Sequence, residues 1–252
     1  MYKALKTIVR TLIPNKLFFK LEPTFRDIHY SLSYKGDNFK CTICEKPLKA
    51  FIPFGGYDKI CPSCGSLSRD RRLWQIIERD YTNFNPTILD FSPSRALYRK
   101  LKAFRRFRKI EYITTDLSGN FLADRQYNIT DINVEDEAFD VILCYHVLEH
   151  IIEDTTAMKE LYRILKPNGT CLIQTPFKEG DIYEDYSIIS PEDRLKHFGQ
   201  DDHVRVYSVE GLSQRLQAAG FNVNPLSFEE ADDNLHGFAN QETVLVCRKG
   251  VS

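Results

Sequence analysis

No run of about 18 consecutive apolar residues occurs in this chain, which argues against a membrane-spanning helix. The amino terminus, MYKALKTIVRTLIP, lacks the unbroken apolar stretch of a secretory leader. Neither sign of charge is in excess: 34 Lys and Arg face 35 Asp and Glu, so any pull toward nucleic acid or membrane must come from a local patch. No internal repeat and no low-complexity tract is present. No Gly-x-Gly-x-x-Gly follows any predicted strand, which argues against a nicotinamide dehydrogenase. What remains is ordinary for a folded protein. The 252 residues are 42% hydrophobic and 27% charged, which excludes wholesale disorder and a collagen-like fibre. A core of this size forms without covalent staples.

The seven cysteines are an odd number, and four of them form two close pairs. That pattern suits a metal site in a reducing compartment better than a disulfide framework, and it places the chain in the cytoplasm. Cys41-Thr42-Ile43-Cys44 and Cys61-Pro62-Ser63-Cys64 are separated by 16 residues, the spacing of a four-thiolate zinc shell. Such a shell is closed, so the zinc is structural. Gly65 gives the second turn its backbone freedom, while Lys40, Lys46 and Lys59 offset thiolate charge. Arg69, Arg71 and Arg72 follow on a predicted helix over 68–81. They grip phosphates, form a solvated face, or pair with Asp70 and Glu78.

Ahead of the cysteines, residues 1–40 carry eight Lys or Arg against three acids. The periodicity predicts an amphipathic helix over 3–13, ended by Pro14 and Asn15. It either packs on its own domain or rests on the inner membrane surface as a peripheral contact. Behind them, strands over 88–91, 112–116, 139–145 and 170–176 alternate with helices over 95–104, 154–165 and 209–218. Two closing strands, around 221–225 and 243–248, complete a sheet covered on both faces. Lys166-Pro167-Asn168-Gly169 reads as a helix stop. Residues 177–208 show no clear period and read as a lid-like insertion. The linear division is therefore 1–38, a basic helical segment; 39–82, a zinc ribbon with its following helix; and 83–252, an α/β domain.

Three stretches carry a family resemblance: FDVILCYHVLEHI (139–151), LYRILKPNGTCLIQTP (161–176) and LQAAGFNV (216–223). From Thr87 to Arg248 the chain resembles a class I S-adenosylmethionine-dependent methyltransferase. With the cysteine segment included, it resembles a bacterial zinc-ribbon subfamily linked to surface-polysaccharide biosynthesis. The resemblance implies a Rossmann-like sheet of seven strands, S-adenosylmethionine as cofactor, and a sugar or glycan precursor as methyl acceptor. It also implies cofactor-binding roles for Asp90, Ser92, Ser94, Asp116, Asn128, Ile129 and Cys144. Cys144, Cys171 and Cys247 also read as small core residues.

The cofactor loop departs from the family pattern, because Ser92, Ser94 and Ala96 occupy its three glycine positions. Asp116 would hold the ribose hydroxyls, and Asn128 and Ile129 the adenine. His146 and His150, four apart on one helical face after the strand, are catalytic candidates. His203 is the leading base, within HFGQDDHVR, where Asp201 or Asp202 holds it and Arg205 grips an acidic group. The same stretch also reads as a second metal site or as a salt-bridged loop. The basic helix after Arg95 suggests an anionic partner: a sugar nucleotide, a lipid-linked glycan, a membrane surface or RNA. Two other functions stand beside glycan methylation, an RNA methyltransferase and a non-catalytic module that has lost its cofactor.

Overall fold

The computed structural model describes residues 15–55, 58–105, 109–117, 123–229 and 233–250. The helix expected over 3–13 lies outside them. The chain divides into two compact units: residues 1–77, 94–100 and 230–240 form one, and residues 78–93, 101–229 and 241–252 the other. This differs from the linear division, because segments distant in sequence join the cysteine region.

The first described element of this unit is α1 (Asn15–Ser33); the stop expected at Pro14 lies outside the described residues. Phe18, Glu22, Arg26 and Tyr30, spaced four apart, form its buried face. Leu17, Phe25, Ile28 and Leu32 lie exposed on the other side. Pro23 sits inside the helix and has no N–H for the carbonyl of Phe19. That carbonyl instead accepts from Arg99 Nη2 at 2.8 Å, and the Arg99 guanidinium lies 4.1 Å from the Phe19 ring centre. A partner from elsewhere in the unit thus repairs the break.

Two short hairpins follow, β1 (Phe39–Lys40) with β2 (Pro47–Leu48) and β3 (Ile52–Phe54) with β4 (Asp58–Ile60). Next comes α2 (Ser68–Asp80). The guanidinium of Arg71, fully buried, donates to the carbonyls of Ser66, Lys59, His236 and Gly237. These bonds explain why residues 230–240 belong to this unit. Arg72 is 7% exposed and stacks 3.6 Å from the Phe238 ring centre. Neither residue is free for phosphate, so the phosphate-grip reading fails for both.

The second unit holds a six-stranded mixed sheet among the described residues, in place of the expected seven. Its strands are β5 (Thr87–Phe91), β6 (Glu111–Thr115), β7 (Phe139–Tyr145), β8 (Leu165–Gln174), β11 (Asn222–Glu229) and β12 (Gln241–Arg248). Their order is β11-β12-β8-β7-β5-β6, parallel from β8 to β6 and antiparallel around β12. Beside β6, Arg125 makes only an isolated bridge to Thr115. The N–H groups of Asp124 and Arg125 both converge on the Thr114 carbonyl, at 2.9 and 3.0 Å. The chain then folds back between Asn128 and Asp131 and does not run on as a strand.

Val141, Ile142 and Leu143 of β7 are wholly buried, as expected for a central parallel strand. Three helices connect the strands: α3 (Arg95–Phe104), α4 (Asp154–Ile164) and α6 (Val209–Ala218). Helix α3 stops at Phe104, and its charges are largely spoken for. Arg95 and Arg99 pair with the buried Glu22, Lys100 with Glu45, and Lys102 with Asp124. The predicted stop at Lys166–Gly169 is a bulge inside β8: Phe139 pairs with Leu165, but Val141 pairs with Thr170. Asn168, at φ 61°, turns the chain there.

The 177–208 stretch is an ordered insertion, with β9 (Tyr183–Glu184) antiparallel to β10 (Arg205–Val206) and α5 (Pro191–Phe198) between them. Ser190 caps α5, and Gly199 ends it in the left-handed conformation.

Candidate functional sites

The two cysteine turns share one hydrogen-bond plan. The Cys41 carbonyl accepts from Glu45 N at 2.9 Å, and the Cys61 carbonyl from Gly65 N at 3.0 Å. Cys41 N donates to the Lys46 carbonyl, as Cys61 N does to that of Ser66. Each turn needs a left-handed residue, Glu45 at φ 62° and Gly65 at φ 79°. Glycine suits the second place, because a Cβ there would lie 2.7 Å from the Arg26 guanidinium carbon and displace that side chain.

All four thiols are unbridged and lie together. Cys41 Sγ is 3.7 Å from Cys64 Sγ, and Cys44 Sγ is 3.8 Å from Cys61 Sγ. A tetrahedral shell with sulfur about 2.3 Å from zinc has edges of about 3.8 Å. The residues fit that ion. Donation from the other three thiols holds Cys41 far below the ordinary thiol range, while Cys61 and Cys64 are pushed above it. Asp27 of α1 braces the second turn, accepting from Lys46 Nζ at 2.6 Å and Ser63 Oγ at 2.7 Å.

In the second unit, parallel register brings the carboxyl ends of β5, β6 and β7 side by side. Ligands bind at this edge in sheets of this kind. Asp90, 3% exposed, accepts from the Tyr112 hydroxyl at 2.7 Å. Ser92 lies just beyond β5 with φ 50°, and its N–H donates to the Thr115 carbonyl at 2.8 Å. Asp116 follows β6 and is buried. Asn128 Oδ1 accepts from both N and Oγ1 of Thr130, at 3.1 and 2.9 Å, which fills its two lone pairs. It therefore braces a turn and leaves the adenine-acceptor role without a free oxygen. Ile129 is buried beside it. Cys144 is buried in the core, in register with Phe91 and Ile173, and burial pushes its thiol well up. In the first unit Ser94 caps α3, accepting from Leu97 N at 3.2 Å.

Beyond β7 the chain turns sharply at His146, φ 54°, and enters a 3₁₀ turn, Leu148–His150. The two histidines thus do not share one α-helical face, as the sequence predicts. They nevertheless meet in one cluster with Glu149 and His203. His146 Nδ1 lies 3.3 Å from Glu149 Oε1, and His150 Nδ1 lies 3.3 Å from Asp202 Oδ2. The rings of His150 and His203 meet edge to face at 4.7 Å. Glu149 is 1% exposed, and beyond the His146 contact neither of its oxygens has a hydrogen-bond donor among the described residues. Burial raises its pKa, but the His146 imidazole, its own backbone N–H and His150 together hold it below the ordinary carboxylate range. Burial lowers His203, which favours its neutral form. Its Nε2 has no hydrogen-bond partner among the described residues. Asp202 therefore serves His150 and not His203.

Arg205 does not grip a ligand. Fully buried, it donates to Glu184 at 2.9 Å, the Ile152 carbonyl at 2.9 Å, the Tyr186 hydroxyl at 3.1 Å, and the Ile151 and Leu148 carbonyls. Arg215 joins the same network through Asp154 and Glu184, and Asp154 also accepts from Tyr207 at 2.6 Å. The salt-bridged-loop reading of HFGQDDHVR therefore holds for Arg205, with the histidine cluster beside it. Sequence reasoning left Glu149 out of the candidate site residues. Its signal was present: an acid between histidines three before and one after, at the end of a buried strand.

The methyltransferase-domain family profile matches residues 68–226, more than half of the chain. A protein of Mycolicibacterium smegmatis named as a probable S-adenosylmethionine-dependent methyltransferase is 28% identical over 101 residues, 39% of this chain and 35% of its own length. An uncharacterized protein of Methanocaldococcus jannaschii is 33% identical over 85 residues, 32% of this chain and 37% of its own. The chain thus spans about a third of the length of these curated relatives. Among solved structures, an S-adenosylmethionine-dependent methyltransferase from Archaeoglobus fulgidus superposes with a TM-score of 0.52 at 15% identity, covering 72% of this chain and 93% of that one. The cyclase SpnF superposes at 0.53 and 14% identity, covering 94% and 95%. These likenesses show the fold.

Proposed function

The chain belongs to the methyltransferase-domain family, and from that premise we propose that it binds S-adenosylmethionine at the β5–β6–β7 edge and methylates a hydroxyl. One observation carries the reading. Ser92 holds a left-handed backbone where the resemblance expects glycine. That conformation costs a non-glycine residue about 1–2 kcal/mol, and strain of this kind persists where a site needs it. The loop keeps the glycine shape without the glycine, which supports a working cofactor site over a decayed one.

Asp116 holds the ribose, and the loop at Ser92 and the segment around Ile129 hold the rest of the cofactor. The acceptor meets the cluster of His146, Glu149, His150 and His203. Positioning supplies most of the acceleration, because the sulfonium methyl is already electrophilic. An imidazole that removes the hydroxyl proton adds about 10²–10⁴-fold, and His203, neutral with Nε2 unpartnered, is suited to that role.

The four cysteines hold structural zinc. The acceptor is a sugar or glycan precursor, a choice that rests on the subfamily resemblance. An RNA acceptor has lost its support in Arg71 and Arg72, which are buried. No described helix is long and apolar enough to cross a membrane. For a peripheral membrane contact, the stripe Leu17, Phe25, Ile28 and Leu32 on α1 is the candidate surface, with Lys16 and Lys20 exposed near its start.

Titration with S-adenosylmethionine, followed by calorimetry and thermal shift, tests the central claim. At 100 times Kd, binding adds about 2.7 kcal/mol of stability. No shift in folded, zinc-loaded protein sinks the proposal and favours a non-catalytic module.

A further inference from the structure

We infer that Glu149, His150 and His203 form a second metal site, built for a divalent first-row transition cation. One ligand atom from each lies within 4.8 Å of the others. Donors about 2.0–2.2 Å from a common ion stand about 3–4.4 Å apart, so a small closure completes the shell.

The chemistry of each group fits that role. A carboxylate 1% exposed, with the His146 contact at 3.3 Å as its sole ion pair among the described residues, has given up water for little in return. Burying such a charge is costly unless a cation or hydrogen bonds compensate. His203, 3% exposed, presents an unpartnered Nε2. Asp202 stands 3.3 Å from His150 Nδ1, an outer carboxylate that leaves Nε2 for an ion. Val204 N donates to the Glu149 carbonyl at 2.9 Å, which ties the His203 segment to the 3₁₀ turn.

Two imidazoles and one carboxylate select a borderline divalent ion over the soft-ligand chemistry of the thiolate site. Three protein ligands leave positions open. The catalytic use of this site rests on the methyl-transfer reading above; ion binding itself does not. An acceptor hydroxyl on an open position would lose its proton more readily. His203 is then a ligand, and His146, whose Nε2 also lacks a partner, takes the proton. The hydroxyl O–H bond breaks and the oxygen pair forms the new C–O bond. The C–S bond breaks with its electrons left on sulfur as the demethylated thioether.

The test titrates Co²⁺ into full-length protein already carrying one equivalent of zinc. The expected result is one further equivalent, with a d–d absorption that lacks thiolate charge transfer. Glu149→Gln and His203→Asn should each abolish it. Asp202→Asn, at an exposed position, should weaken it about 10–100-fold without threatening the fold. The inference is overturned if no further cobalt binds, if cobalt enters only the thiolate site, or if Asp202→Asn and Glu149→Gln both bind as wild type. S-adenosylmethionine affinity is measured on the same samples. Cobalt binding without cofactor binding refutes the methyl-transfer reading alone, and the reverse refutes this one alone.

Discussion

Replacing Arg205 with Met tests what holds the 177–208 insertion in place. The arginine is wholly buried and satisfies one carboxylate, one hydroxyl and three backbone carbonyls. Removing one partner of a buried ion pair costs about 3–5 kcal/mol, because the groups left behind have no water to turn to. Here the lower end applies. Glu184 and Asp154 each keep Arg215, at 2.5 and 2.6 Å. A loss of about 3 kcal/mol corresponds to a fall in Tm of roughly 6–12 °C for a domain of this size. Circular dichroism melts of wild type and Arg205→Met should show it, with zinc content unchanged.

The pH dependence sharpens the test. Arg215 first, and then Arg205, pull the Glu184 carboxyl from 4.5 to about 2 against the opposing effect of burial. A depressed folded pKa gives stability that is fully present above pH 4.5 and lost as pH falls toward 2. Wild type should therefore lose stability across that window more steeply than Arg205→Met. A variant that melts within 2 °C of wild type, with the same acid profile, would refute the anchoring role.

Other outcomes follow from the sites. Asp116→Ala should remove S-adenosylmethionine binding in calorimetry while zinc content stays at one equivalent; unchanged affinity would refute the ribose assignment. Cys61→Ser should release zinc, as read by elemental analysis, and lower the stability of the first unit; a full equivalent retained would disprove the four-sulfur shell. Arg99→Met strands the Phe19 carbonyl opposite Pro23 and removes a partner of Glu22, and should cost about 2–4 kcal/mol in denaturant unfolding. Pro23→Ala restores the helical N–H and should recover part of that loss in the double variant. Phe25→Asp with Leu32→Asp should reduce co-sedimentation with anionic vesicles; identical binding would remove α1 from the membrane reading.

The parallel strands and the cysteine pairs were legible because their signals are local. FDVILCY, over 139–145, is apolar apart from Asp140 and becomes a strand with the same limits. Helix 209–218 is likewise bounded by a capping Ser208 and by Gly220. What escaped depends on partners far away in the chain. Nothing near Arg71 announces that its acceptors include carbonyls 165 and 166 residues on. The basic run after Arg95 looks solvated until Glu22 appears on α1. The insertion has no hydrophobic period because a polar network holds it, joining Asp154, Glu184, Arg205 and Arg215. The histidine cluster lay between these extremes. Its residue types were visible, but the sharp turn at His146 and the pairing of Asp202 with His150 were not.

Arg71 also sets a constraint on how the chain is made. Ribosomes release the cysteines first, and the turns around Cys41 and Cys61 can close on an ion early. The carbonyls of His236 and Gly237, which receive the same buried guanidinium, emerge only 165 and 166 residues after Arg71. At about 5–20 residues per second, that is a delay of roughly 8–35 s. During that interval the nascent amino-terminal unit holds a charge whose last acceptors do not yet exist. It follows that synthesis through Gly237, rather than zinc capture, completes this unit, and that no single cut in the chain could free it whole.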